Sequence, residues 1–149
     1  SHGPATVHDL AWGAGLTVAD ARRGVEAVRH ELDALEVDGT TLLHAPGLEP
    51  AEGVHLVAPF DELVLGYADR AATLRGEPLE RIVPGANGMF LPAIVVDGAV
   101  SGTWRRTPRA GGVEVSTDAW VPLPARREPA LRRAVRAYGT AHGATATLV

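Results

Sequence analysis

Between residues 18 and 35 apolar positions recur in steps of three and four, the period of a helix with one buried face. Thr6-Val7-His8-Asp9 is a Ser/Thr-x-x-acid start, with Thr6 placed to cap a helix and Asp9 to answer it. The short helix through Leu10, Ala11 and Trp12 should stop at Gly13-Ala14-Gly15. Thr17-Val18-Ala19-Asp20 repeats the start pattern. Behind it Val18, Ala21, Val25, Val28, Leu32 and Leu35 share one face, which predicts a second helix of about five turns. Helix, tight glycine turn and longer helix outline a helix-turn-helix. Asp38-Gly39 between the apolar segments 35–37 and 40–44 is a hairpin signal. A hairpin directly behind a helix-turn-helix predicts a winged-helix-like unit over residues 3–45, and the proline-rich stretch 45–53 reads as a linker.

The pattern then changes character. Residues 54–58 predict a strand, 62–74 a helix interrupted at Gly66, and 81–83 a further strand. The segments 89–96 and 99–106, joined by Asp97-Gly98, form the clearest hairpin signal. A two-residue turn there sets Val95 opposite Val100, Ala93 opposite Gly102 and Leu91 opposite Trp104, so that side should be core. Pro92 argues for an edge or a bulge. Residues 113–121 alternate as a strand, Glu128-Pro129 opens a helix to about His142, and 144–149 return to the sheet. The fold class expected is α+β: a winged-helix-like unit followed, over residues 54–149, by a twisted, β-rich, barrel-like domain with a C-terminal helix.

Composition narrows the chemistry. A chain of 149 residues suits one domain or two very small ones. It holds no cysteine, which removes disulfides, zinc-thiolate sites and a thiol nucleophile, and it holds no apolar run of membrane-spanning length. The expectation is a cytoplasmic protein without membrane contact. Ser1-His2 reads as an expression-tag remnant. All fourteen basic residues are arginine, and lysine and glutamine are absent, a bias pointing to a GC-rich genome. Charge is uneven: residues 1–100 carry six arginines against fifteen carboxylates, and residues 101–149 carry eight against three. Any contact with a polyanion is therefore expected from the second half.

The histidines show no metal-ligand spacing, no Gly-x-Ser-x-Gly elbow is present and the glycines mark turns, so neither metal nor cofactor is expected. Arg22, Arg23 and Arg29 could line the exposed face of the second helix as a DNA-reading surface. Residues 17–38 carry six carboxylates beside those three arginines, which disfavours phosphate contact and favours packing against other protein. Arg105, Arg106 and Arg109 at a strand end are the better polyanion candidates, with Arg126, Arg127, Arg132, Arg133 and Arg136 in support; the helical arginines can also pair with Glu128. Trp104 belongs to the core. Asp61, Tyr67, Asp69 and Arg70 form the densest polar cluster, and Asn87-Gly88 reads as a turn in which Asn tolerates a positive φ.

His2-Gly3-Pro4-Ala5-Thr6 with Asp9-Leu10-Ala11-Trp12 and Gly15-Leu16-Thr17 resembles the last winged-helix unit of the bacterial crosslink-unhooking, AlkZ-like DNA glycosylases. Pro59-Phe60-Asp61, Leu65-Gly66, Asp69-Arg70, Pro84-Gly85-Ala86-Asn87-Gly88 and Asp97-Gly98 with Gly102-Thr103-Trp104 are similar to that family's β-rich C-terminal domain. The resemblance implies a DNA-binding, scaffolding C-terminal portion of a nucleoid-associated repair enzyme. Its implied partners are double-stranded DNA, contacted through the parent protein, and N-terminal domains of the same protein. The family's catalytic signature, Gln-x-Gln, has no match in a sequence without glutamine, so no residue here is assigned a catalytic role. A carboxylate of the Asp61, Tyr67, Asp69 and Arg70 cluster could steady the cationic sugar of glycosidic cleavage. A helix cap at Asp61 and an ion pair at Asp69 are the favoured readings. Two alternatives remain: a stand-alone winged-helix regulator, expected as a symmetric dimer on a pseudo-palindromic site, and a small-molecule or protein interaction module.

Overall fold

A computed structural model describes residues 3–149; His2 of the first family motif lies outside them. The chain forms two units, residues 1–49 with 62–70 and residues 50–61 with 71–149.

In the first unit α1 (Val7–Ala14) begins with the capping box its sequence announces: Thr6 Oγ1 accepts from Asp9 N–H, and the Asp9 carboxylate accepts from Thr6 N–H. It ends at Gly15, whose φ of 64° lies in the left-handed region open to glycine. Helix α2 (Val18–Ala27) starts on the Thr17 cap. It is shorter than the apolar periodicity predicts. A 3-10 turn, Arg29–Glu31, takes over after Val28, and Leu35 lies in β1 (Asp33–Val37). The helical face from Val18 to Leu35 thus merges two elements: Val25 and Val28 belong to the helix end, Leu35 to the strand. β1 pairs antiparallel with β2 (Thr40–His44) through Asp38 and Gly39, both at positive φ (47° and 75°), as a type I′ hairpin turn requires. The short helix α3 (Glu62–Leu65) and residues 66–70 complete this unit.

The second unit is built on a five-stranded sheet in the order β3 (Val54–Val57), β4 (Ala93–Val96), β5 (Ala99–Arg109), β6 (Gly112–Ala119), β7 (Thr145–Leu148). Neighbours are antiparallel except the parallel pair β6 and β7, which is joined by α5 (Glu128–Ala141). β3 and β7 are free edges, so the sheet is half a barrel, open between them. Ile94, Trp104 and Val115 meet Leu131 and Val135 of α5 in the core.

Four local expectations fail after residue 54, each for a visible reason. A bulge between Ile94 and Val95 keeps Val95 opposite Val100 but moves Gly102 to face Ile94 and Thr103 to face Ala93. β4 begins only at Ala93, and Pro92 offers its carbonyl to Trp104 N–H at 3.1 Å. Instead of a strand at 81–83 there is a 3-10 turn, Leu79–Arg81, continued by Ile82 and Val83, whose N–H groups bond back to Leu79 O. The helix expected over 62–74 is two single turns, α3 and α4 (Ala71–Leu74), and between them the Ala68 and Asp69 amides turn to the Asp9 carboxylate of α1.

Candidate functional site

Asp9 gathers several donors within the first unit. Only 6% exposed, it accepts from Thr6 N–H at 2.8 Å, from Thr6 Oγ1 at 2.7 Å and from Ala68 N–H at 2.9 Å. Burial pushes its carboxyl up. The donors from Thr6, Ala68 and Asp69 outweigh that and hold it below the ordinary carboxylate value. One helical turn along, Trp12 donates its indole Nε1–H to Leu65 O at 3.0 Å, and the Arg70 guanidinium stands 5.8 Å from the Trp12 ring. Arg70 Nε donates to Val64 O at 2.6 Å. Two side chains of α1 thus clasp the segment that carries Tyr67, Asp69 and Arg70.

The polar residues singled out in the sequence divide between the units. Tyr67, Asp69 and Arg70 belong to the first, Asp61 and Asn87 to the second. Asn87 does stand in a turn, where its Oδ1 accepts from Met89 N–H at 2.9 Å. The positive φ falls on Ala86 (50°) and Gly88 (74°) instead, while Asn87 sits at −86°. On α2, Arg23 is ion-paired to Asp20, Arg22 is exposed, and Arg29 reaches the Leu32 carbonyl at 2.9 Å from the following turn.

In the second unit the end of β5 and the turn after it lie at the surface, beside the part of β6 that pairs with β7. Every residue from 105 to 111 is exposed, and this stretch holds Arg105, Arg106 and Arg109. Strand alternation sends Arg105 and Arg106 to opposite faces. Arg106 Nη1 donates to the Tyr138 hydroxyl of α5 at 3.1 Å, and Arg109 pairs with Glu114 at 2.7 Å. Arg105, Arg126, Arg133 and Arg136 are exposed and form no ion pair among the described residues, whereas Arg132 pairs with Glu128. Trp104 is core, 6% exposed, with its indole N–H on Val57 O at 2.9 Å.

A ring series that the sequence does not announce runs Trp104, Tyr138, His142, with centroids 5.0 and 4.3 Å apart. The spacing of Tyr138 and His142, four residues apart on one helix, is its only sequence trace. At the β4–β5 turn, Asp97 accepts from Gly53 N–H at 2.8 Å and pairs with Arg127 at 2.5 Å. The Gly53 bond, helped by Arg127, holds the Asp97 carboxyl below its ordinary value. Among the described residues no cluster of His, Asp or Glu could hold a metal ion, and no helix is long and apolar enough to cross a membrane.

Comparison with known proteins places these features. The family model described as DNA glycosylase AlkZ-like matches residues 1–141. The solved structure of the Streptomyces sahachiroi DNA glycosylase AlkZ is similar, with a TM-score of 0.72 at 21% identity. The match covers 99% of this chain and 42% of that one, so the chain spans less than half the length of that relative. A search of curated proteins finds no match.

Proposed function

The chain belongs to the AlkZ-like DNA glycosylase family, and on that premise we propose that it is a DNA-binding, scaffolding portion of a repair glycosylase. The exposed end of β5 and the turn after it, residues 105–111, are the part that meets the phosphate backbone. One observation carries this reading: residues 105–111 are exposed throughout and present three arginines, with Glu114 the only carboxylate paired to them among the described residues. Affinity for DNA grows with the number of phosphates neutralised, and arginine on an accessible ribbon supplies that without base reading.

The first unit is, on the same reading, winged-helix-like over residues 3–45, with α2 in the place of a recognition helix, and residues 54–149 form the β-rich domain. The unit containing α2 carries four arginines against ten carboxylates, and the other carries ten against eight. Arg22, Arg23 and Arg29 are therefore poorly placed to hold phosphates, and α2 serves better as a packing element. Base excision is assigned to residues outside this chain, because the family's Gln-x-Gln signature needs a side chain the sequence does not contain.

Titration of a fluorescent duplex at several salt concentrations tests both halves. Binding should weaken steeply with salt. In an Arg105→Ala/Arg106→Ala/Arg109→Ala variant the slope of log K against log salt should fall by about 2 to 3, at roughly 0.9 for each phosphate no longer neutralised. An unchanged slope would remove this segment from the interface. Release of alkylated base from duplex DNA by the chain alone would overturn the scaffolding assignment.

A further inference from the structure

The first unit buries little of its own apolar surface. Its buried hydrophobic residues are Ala11, Ala21 and Val64, while Leu10, Trp12, Leu16, Val28, Leu35 and Val37 are each at least 40% exposed. Solvated apolar side chains in that number, within one small unit, mark a surface made to be covered. The same unit holds a cleft of about 430 Å³, mostly apolar, walled by Leu10 and Ala14 of α1, Val25 of α2, Leu32 and Leu43. Thr6, Asp9 and His44 supply its few polar edges. Two walls are helices and a third is a strand of the hairpin, the frame into which a further helix can lay a row of side chains.

We propose that this cleft is a docking groove for a basic amphipathic α-helix of a protein partner. The charge of the unit selects the occupant: four arginines against ten carboxylates give a net of −6 to the unit that holds this apolar seam. A helix with leucine-type residues at i, i+3 or i+4, and i+7 fills the seam, and its lysines or arginines are drawn by the unit's net negative charge. A nucleic acid is repelled by the same field. An uncharged small ligand would leave Leu16, Val28 and Leu35, which lie outside the lining, in water. The inference does not depend on where DNA binds, since it concerns the other unit and another class of partner.

The test is fluorescence anisotropy of labelled helical peptides of about 18 residues, long enough for five turns, added to the full 149-residue chain. One peptide has leucine on a single face and lysine elsewhere, the second has glutamate for lysine, and the third is a scramble of the first. The amphipathic basic peptide should bind at least tenfold more tightly than either of the others, and salt should weaken it. Ala14→Phe fills the cleft from an exposed position and should weaken that peptide tenfold or more, with an unchanged circular dichroism spectrum confirming the fold. Leu10→Ala, also at an exposed position, should weaken it several-fold. Equal binding of the scramble would reduce the effect to bulk charge and overturn the proposal. So would binding of the basic peptide that neither variant alters, or no binding at all.

Discussion

Replacing Asp9 by alanine should open the first unit while leaving the second folded. The carboxylate is 6% exposed and holds backbone donors of Thr6, Ala68 and Asp69 besides the Thr6 hydroxyl. Each buried amide stripped of its acceptor costs about 1–3 kcal/mol, so the loss is roughly 3–5 kcal/mol once the capping box is counted. That is a large share of the 5–15 kcal/mol that stabilises a typical domain. The Trp12 indole reports the same clasp, because its Nε1–H bonds to Leu65 O beside the segment that Asp9 holds. The chain has three tryptophans, so a nitrogen–proton spectrum shows three indole signals, and Trp104 and Trp120 lie in the second unit. In urea the Trp12 signal of Asp9→Ala should move to its unfolded position well before the other two. The pH dependence follows from the depressed carboxyl. Asp9 binds its proton less readily folded than unfolded, so its stabilisation is present above the unfolded value of about 3.9 and is lost as pH falls through the lower folded value. Asp9→Asn, which keeps the shape and cannot ionise, should flatten that acid limb. A Trp12 signal and urea midpoint unaffected by Asp9→Ala would refute the assignment of Asp9 as the clasp.

Two further substitutions probe the second unit. At Gly139 on α5 an added Cβ would lie 2.6 Å from Ala144 O and 2.8 Å from Ala146 Cβ, so Gly139→Ala should force β7 outward. Overpacking of about 1–3 kcal/mol exceeds the gain in helix propensity, and calorimetry should show a midpoint lowered by several degrees. Trp104→Phe removes the donor to Val57 O and part of a buried ring edge-on to Tyr138. A cost of about 2–3 kcal/mol in urea unfolding is expected, and a negligible one would mean that the carbonyl finds another donor.

Local chemistry was legible where it was self-contained. Thr6 with Asp9, Thr17 with Asp20, Asp38-Gly39 and Asp97-Gly98 each complete their bonds or turn within a few residues, and each stands where the sequence puts it. Periodicity misled where two elements continued one apolar rhythm. Val28 and Leu32 keep the helical step after α2 has ended, and no residue type between them marks the passage through a 3-10 turn into β1. The bulge at Ile94 and Val95 was likewise silent in the sequence: Pro92 warned of an irregularity but sits two residues too early to locate it.

The candidate site was less legible than the fold, and Asp9 shows the cause. Read locally, its carboxylate is spent on the Thr6 cap. A carboxylate has lone pairs for more than two donors, and its other oxygen receives the Ala68 amide from 59 residues away. That bond, with the Trp12 bond to Leu65, explains why 62–70 joins the first unit although residues on both sides of it belong to the second. The polar cluster Asp61, Tyr67, Asp69 and Arg70 was contiguous in sequence and looked like one constellation. Asp61 falls on one side of the division and the other three on the other, because α1 offers their segment a fixed acceptor and a fixed donor. Density of polar residues along a chain thus identifies a segment that will be held, and the buried partner far away decides which unit holds it.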